Sequence, residues 1–172
     1  WKVAEKRKWT NMSPDTKVKG KTVPGTDWKA GYIGWQTQDD QAGKGSVAKI
    51  NYDFWSGYDD YAVQWEYDQA SNSYIRSQGG EAHVDLNNNS RVSAKNVVVF
   101  LTTEKGPINE AKHMLYTTEG TGEALIFQNG EAIKGSWSKK TRESELEFLD
   151  AKGNPVKLVK GLVWVSVLAK NT

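Results

Sequence analysis

The dipeptide Asn129-Gly130, set between EALIFQ and EAIKGSW, constrains the fold of this chain more than any other stretch. Both residues accept the positive φ angles of a type I′ turn, and the twist of that turn matches the strands it joins, so Glu123 to Trp137 reads as a tight hairpin. A two-residue loop leaves no choice of register. Gln128 pairs with Glu131, which sets Ile126 opposite Ile133 and Gly122 opposite Trp137, and the absent side chain of Gly122 leaves room for the indole.

The same period of two recurs along most of the chain. Ala48, Ile50, Tyr52 and Phe54 alternate with polar residues, as do Tyr61, Val63, Trp65 and Tyr67, so each run has one apolar face. Asp68 to Asn72 is rich in turn formers, after which Ser73 to Ser77 resume a strand that offers Tyr74 and Ile75 for packing and carries Arg76 on the side opposite Ile75. Asn96 to Thr102 and Leu162 to Leu168 are apolar on both faces, the mark of central strands covered twice. Pro107 to Thr117 is less regular, with a helical turn expected at Asn109 to Met114. These runs predict an all-β domain over residues 46–172, an antiparallel sandwich or partly closed barrel of about eight or nine strands. Residues 1–45 are broken up by Pro14, Pro24, Gly20, Gly25, Gly31 and Gly34 and read as an irregular arm or linker from a preceding domain. Trp9, Trp28, Tyr32 and Trp35 are too many aromatics for a solvated linker. Part of the arm is therefore expected to lie against the folded body or against the preceding domain.

Composition narrows the classes further. The 23 basic and 21 acidic residues leave a net charge of +2 and, apart from the basic opening Lys2 to Lys8, are interspersed, which argues against a nucleic acid or an anionic membrane as partner. The absence of cysteine excludes disulfides, thiolate catalysis and cysteine-based metal sites. No apolar run approaches the ~18 to 20 residues that span a bilayer. The chain opens at Trp1, so a fragment of a longer precursor is expected, with any signal peptide or lipid anchor outside it. Eight Trp and seven Tyr suit strands that pack at one end and reach water at the other, and they also suit carbohydrate or peptide binding.

The sequence carries no phosphate-binding glycine loop, nucleophile elbow or metal-binding helix motif, and no residue is assigned a catalytic, metal or cofactor role. Glycoside hydrolysis needs two carboxylates across a cleft; Glu66, Asp68, Glu81 and Asp85 are available, yet alternation on exposed strand faces accounts for all four. A site built from His83, Asp85 and one further oxygen ligand could hold a divalent ion, and a histidine bonded to a strand neighbour or carboxylate is the simpler reading. Two groups are singled out for binding. Arg76, His83 and Asp85 are expected to meet, because Gly79-Gly80 lets the chain fold back, the two-residue spacing directs His83 and Asp85 to one side, and an arginine–carboxylate pair would be bidentate. Trp137 and Lys139 share a strand face, either as a ligand platform or as a packed indole under a lysine stem.

The order and spacing of several motifs resemble the C-terminal domain of the YerB-like lipoproteins, a bacterial family of unassigned function. The likeness runs through Trp65-Glu66-Tyr67-Asp68, Tyr74-Ile75-Arg76, His83-Val84-Asp85, Asn96-Val97-Val98-Val99, Asn129-Gly130, Gly135-Ser136-Trp137-Ser138-Lys139, Phe148-Leu149-Asp150 and Gly161-Leu162-Val163-Trp164-Val165, about Ser46 to Leu168 in all. It implies an extracytoplasmic, membrane-anchored parent with a larger preceding N-terminal domain, and it supplies no reaction. The resulting expectation is a non-enzymatic binding or interaction module of a bacterial cell-envelope lipoprotein. Its expected partners are the preceding domain and peptidoglycan or an envelope protein, and it meets the membrane only through a lipid anchor outside this chain. The alternative is part of an envelope hydrolase whose active site is shared with that domain.

Overall fold

The period-two runs fold as strands. The computed structural model describes residue 6 and residues 15–25, 34–41, 45–142 and 144–170, which leaves Trp9, Trp28 and Tyr32 outside the described residues. The chain divides into two units, Trp1–Gly34 and Trp35–Thr172. In the first, β1 (Thr16–Val18) and β2 (Lys21–Val23) form a hairpin whose turn residues Lys19 and Gly20 both have positive φ. The strands of the second unit are β3 (Thr37–Gln38), β4 (Lys49–Asp53), β5 (Ala62–Asp68), β6 (Ser73–Gln78), β7 (Glu81–Ala82), β8 (Ser93–Ala94), β9 (Asn96–Thr102), β10 (Glu104–Lys105), β11 (Leu115–Tyr116), β12 (Gly120–Gln128), β13 (Glu131–Lys139), β14 (Glu147–Asp150), β15 (Leu158–Val159) and β16 (Val163–Ala169).

Two five-stranded sheets dominate, one in the order β14-β13-β12-β9-β16, the other β4-β5-β6-β7 with β8 sharing the outer edge of β6. Neither closes into a barrel, so the all-β class takes its sandwich form. The hairpin pairs as its turn dictates, with Gln128 opposite Glu131, Ile126 opposite Ile133 and Gly122 opposite Trp137. Asn129 and Gly130 have φ of 54° and 70°, the signs a type I′ turn requires.

Three local features depart from the alternation. β9 and β16 run parallel, and both are continuous apolar runs of the kind parallel strands show when buried on two faces. Tyr61 closes a short 3₁₀ turn, Asp59–Tyr61, and is exposed instead of joining the apolar face of β5. Asn109 to Met114 forms a turn with no helix.

β9 divides the interior. Val97 and Val99 point toward the second sheet, where Ile50, Val63, Trp65 and Tyr74 meet them. Val98 and Phe100 point the other way, into a second core with Ile126, Trp137, Phe148 and Leu158. This outer core needs a cover, and the chain ties one down with buried amides. Asn96 donates to the Val159 carbonyl at 2.8 Å and accepts from the Val159 N–H at 2.8 Å, as a strand backbone would. Gln128 donates to the Lys157 carbonyl at 3.1 Å. Part of the segment the sequence assigns to the arm belongs to this cover. Trp35 donates through Nε1 to the Leu146 carbonyl at 2.6 Å and sets its ring 5.5 Å from Phe148, and β3 pairs with β15.

A Cβ on Gly122 would overlap Trp137 Nε1 and sit 2.7 Å from the Leu101 carbonyl oxygen, which that indole bonds at 2.9 Å. Gly122→Ala is therefore expected to cost about 1–3 kcal/mol by overpacking, read as a lower urea midpoint. A variant as stable as the parent would show that the indole has room to move.

Candidate functional site

The structure brings two of the predicted residues together inside the sandwich. Because Tyr74, on the core face of β6, is followed two residues later by Arg76, the guanidinium also points inward and is only 3 % exposed. The Gly79-Gly80 turn folds β7 back along β6, so His83 lies across from Arg76, its N–H bonded to the Arg76 carbonyl at 3.2 Å. Arg76 Nη1 donates to His83 Nδ1, and Nη2 donates to Gln78 Oε1 at 2.9 Å. The guanidinium carbon is 4.9 Å from the ring centre of Trp164 and 5.9 Å from that of Trp65, within cation–π range of both. The two indole N–H groups are held in turn. Trp65 donates to Tyr52 Oη at 3.3 Å, Trp164 donates to Ser166 Oγ at 3.2 Å, and these two hydroxyls are 2.6 Å apart.

Electrostatics follow from burial. Among the described residues no carboxylate lies within 4.0 Å of Arg76. Burial disfavours charge on the guanidinium, and the Tyr52 hydroxyl beside it works the other way. A guanidinium can only donate, so His83 Nδ1 is an acceptor and the ring is neutral with its proton on Nε2. Burial and then the charge of Arg76 both push the His83 pKa below its ordinary value.

The other sequence candidates have different employments. Asp85 does not join Arg76 and His83. Its exposed carboxylate accepts from the Asn87 N–H at 2.8 Å and the Asn87 side chain at 2.9 Å, bonds that hold its pKa below the usual carboxylate value and shape the turn after β7. Trp137 is 1 % exposed and stacks 4.2 Å from Phe100, so no ring face is free for a ligand; it is the packed indole of the two readings. Lys139 donates to the carbonyls of Arg142 and Ser144 and closes the loop after β13. Glu66 pairs with Lys49 at 3.6 Å, and Asp68 caps its turn through Ala70 and Ser71. Among the described residues no three His, Asp or Glu are grouped to hold a metal.

A surface that the sequence reading passed over is more exposed. After β4 the chain turns at Ser56-Gly57 and enters the 3₁₀ turn, with the Tyr61 N–H bonded to the Tyr58 carbonyl at 2.9 Å. Side chains three apart eclipse in such a turn, which brings Tyr58 against Tyr61 edge-on at 6.4 Å, and Trp55 meets Tyr61 edge to face at 5.0 Å with 87° between the rings. Trp55, Tyr58 and Tyr61 are 40 %, 64 % and 44 % exposed. They form one wall of a cleft of ≈ 390 Å³ whose other wall is Pro107, Lys112 and Met114. The far loop is fastened by its own bonds, Lys112 N–H to the Asn109 carbonyl at 3.0 Å, Ile108 N–H to the His113 carbonyl at 2.9 Å, and Asn109 Nδ2 to His113 Nδ1 at 2.9 Å. The signal was present in the sequence as three aromatics around Ser-Gly and Asp-Asp, residues of turns, where a large ring has no strand face to bury it.

The neutral, half-buried state of His83 gives stability a definite pH dependence. With its folded pKa below its unfolded value of about 6.5, the imidazole takes up its proton first in the unfolded chain. Its contribution is complete above that pH and is lost as pH falls toward the folded value. Melting temperature should drop between pH 7.5 and pH 5, above the range where Asp39, Asp40, Asp68, Asp85 and Asp150, whose pKa values are lowered by hydrogen bonds, begin to protonate. His83→Ala should remove that drop and cost about 1–3 kcal/mol at pH 7.5 through the unsatisfied Arg76 donor. A flat profile in the parent protein would overturn the neutral assignment.

The fold has a counterpart among solved structures. The YerB protein of Bacillus subtilis superposes with a TM-score of 0.65 at 18 % identity, over 97 % of this chain and 49 % of the YerB chain, so the chain spans about half the length of that protein. No curated protein matches the chain. Residues 50–165, from within β4 to within β16, match the family described as "Protein of unknown function (DUF3048) C-terminal domain". The match takes in both sheets, the Arg76–His83 pair and both walls of the cleft, and the chain belongs to that family.

Proposed function

We propose that this domain is a non-enzymatic binding module of a bacterial cell-envelope lipoprotein and that it holds cell-wall glycan in the cleft between Trp55, Tyr58 and Tyr61 and the Pro107–Met114 loop. In this reading the parent protein sits outside the cytoplasm, its lipid anchor lies outside this chain, and the preceding domain is the module's first partner. The observation that carries the reading is the wall of three exposed aromatics on one short turn. Exposed apolar patches rimmed by polar groups mark interaction surfaces, and clefts lined by aromatics with a few polar groups are the usual small-ligand sites. Rings set at 87° to one another make a corner. A corner grips a puckered ring on one face and one edge, whereas a flat ligand would use a single face. The tyrosine hydroxyls and the Lys112 ammonium supply hydrogen bonds at the rim.

Co-sedimentation with purified bacterial cell-wall sacculi tests this directly. The domain is expected in the pellet, and Trp55→Ala or Tyr58→Ala, both at exposed positions, should lower retention about tenfold, or ~1.4 kcal/mol, with unchanged circular dichroism. No retention, or retention indifferent to both substitutions, would remove glycan as the ligand and leave an envelope protein as the partner to seek.

A further inference from the structure

Building on that proposed glycan binding, we infer that the sugar seated in the cleft is an amino sugar bearing a free carboxylate, the lactyl-ether residue of a wall glycan strand whose peptide has been removed. Lys112 is the one charged residue among the six that line the cleft. Among the described residues no carboxylate lies within 4.0 Å of its ammonium, so its charge is not spent on the protein. Its backbone is in the left-handed region at φ 57°, a conformation disfavoured for any residue with a Cβ. The Asn109 and His113 hydrogen bonds hold it there, so Lys112 is placed opposite the aromatic wall before any ligand arrives.

The charge selects among sugars with similar apolar faces. A neutral amino sugar offers the aromatic corner its C–H face and offers Lys112 only hydroxyl and amide oxygens. A lactyl carboxylate adds a full negative charge, which the ammonium attracts. In intact wall the lactyl group is an amide of the peptide and carries no charge. Hydrolysis of that amide adds water across the C–N bond and yields the carboxylate and a free amine. The reaction class that must supply this ligand is therefore amide hydrolysis at the junction of glycan and peptide, and the module reads its product.

The test compares sacculi digested with an amidase that cuts the lactyl–peptide bond against mock-treated sacculi, with N-acetylmuramic acid and N-acetylglucosamine as soluble competitors. Retention is expected to be about threefold higher on the digested material, the size of an exposed ion pair, and to fall as sodium chloride is raised. N-acetylmuramic acid should compete and N-acetylglucosamine should do so markedly less well. Lys112→Gln should abolish the preference between the two materials without changing the melting temperature. Equal or lower retention on digested sacculi overturns the carboxylate assignment while leaving glycan binding standing, and so does a preference that survives in Lys112→Gln. Loss of retention on both materials overturns the carboxylate assignment together with glycan binding.

Discussion

A strand that is apolar on both faces has to be covered twice, and β9 sets that requirement for the whole second unit. Its edges are taken by β12 and β16, its inner face by the second sheet, and its outer face by Trp137, Phe148 and Leu158. The cover leaves polar groups to satisfy at its margin, because the segment over the outer core pairs with β3 along one edge and, among the described residues, has no ladder along the other. The buried amides of Asn96 and Gln128 stand in for the missing ladder and bond the backbone at residues 157 and 159. A buried polar group is tolerable when it is fully bonded, and Asn96, with both its oxygen and its nitrogen engaged, meets that condition.

Inside the same sandwich a guanidinium is buried, and among the described residues it has no acid beside it and its Nε–H has no acceptor. Taking a cation out of water costs several kcal/mol. The offset here comes from neutral partners, two indole faces and the lone pairs of His83 and Gln78. Those partners are themselves locked, since Tyr52 and Ser166 hold the indole N–H groups. The result is a rigid strut between the sheets. It reaches the exposed cleft through the chain itself: Gln78 donates to the Asp60 carbonyl at 3.3 Å and the Gly79 N–H to the Ala62 carbonyl at 2.9 Å, so the 3₁₀ turn carrying Tyr61 rests on the strut. A Cβ on Gly79 would lie 3.2 Å from the Asp60 backbone, which shows how closely the two turns approach.

The candidate site was legible only in part. Arg76 and His83 could be paired from the Gly79-Gly80 bend, because a two-residue turn fixes which residues oppose one another across a hairpin. Asp85 could not be placed by the same rule. Beyond His83 the chain leaves β6 for the loop at Asp85 to Ser90 and returns at β8, and a carboxylate next to turn residues bonds their N–H groups first. Trp137 and Tyr58 are alike in composition and opposite in fate. One lies on a strand whose neighbours close over it, the other on a turn that leaves it 64 % exposed.

Local rules reach as far as neighbours in sequence. The Asn129-Gly130 turn, the register that follows from it, the identity of the two-faced strands and the all-β class are all written in residues a few positions apart, where backbone conformation and a period of two are sufficient causes. Decisions between distant segments are of another kind. That β16 runs parallel to β9, that Trp35 and β3 join the body, that an arginine is enclosed while three aromatics stay open to water, each depends on which surfaces meet once the sheets close. Burial is a property of the assembled volume, so no window along the chain contains it.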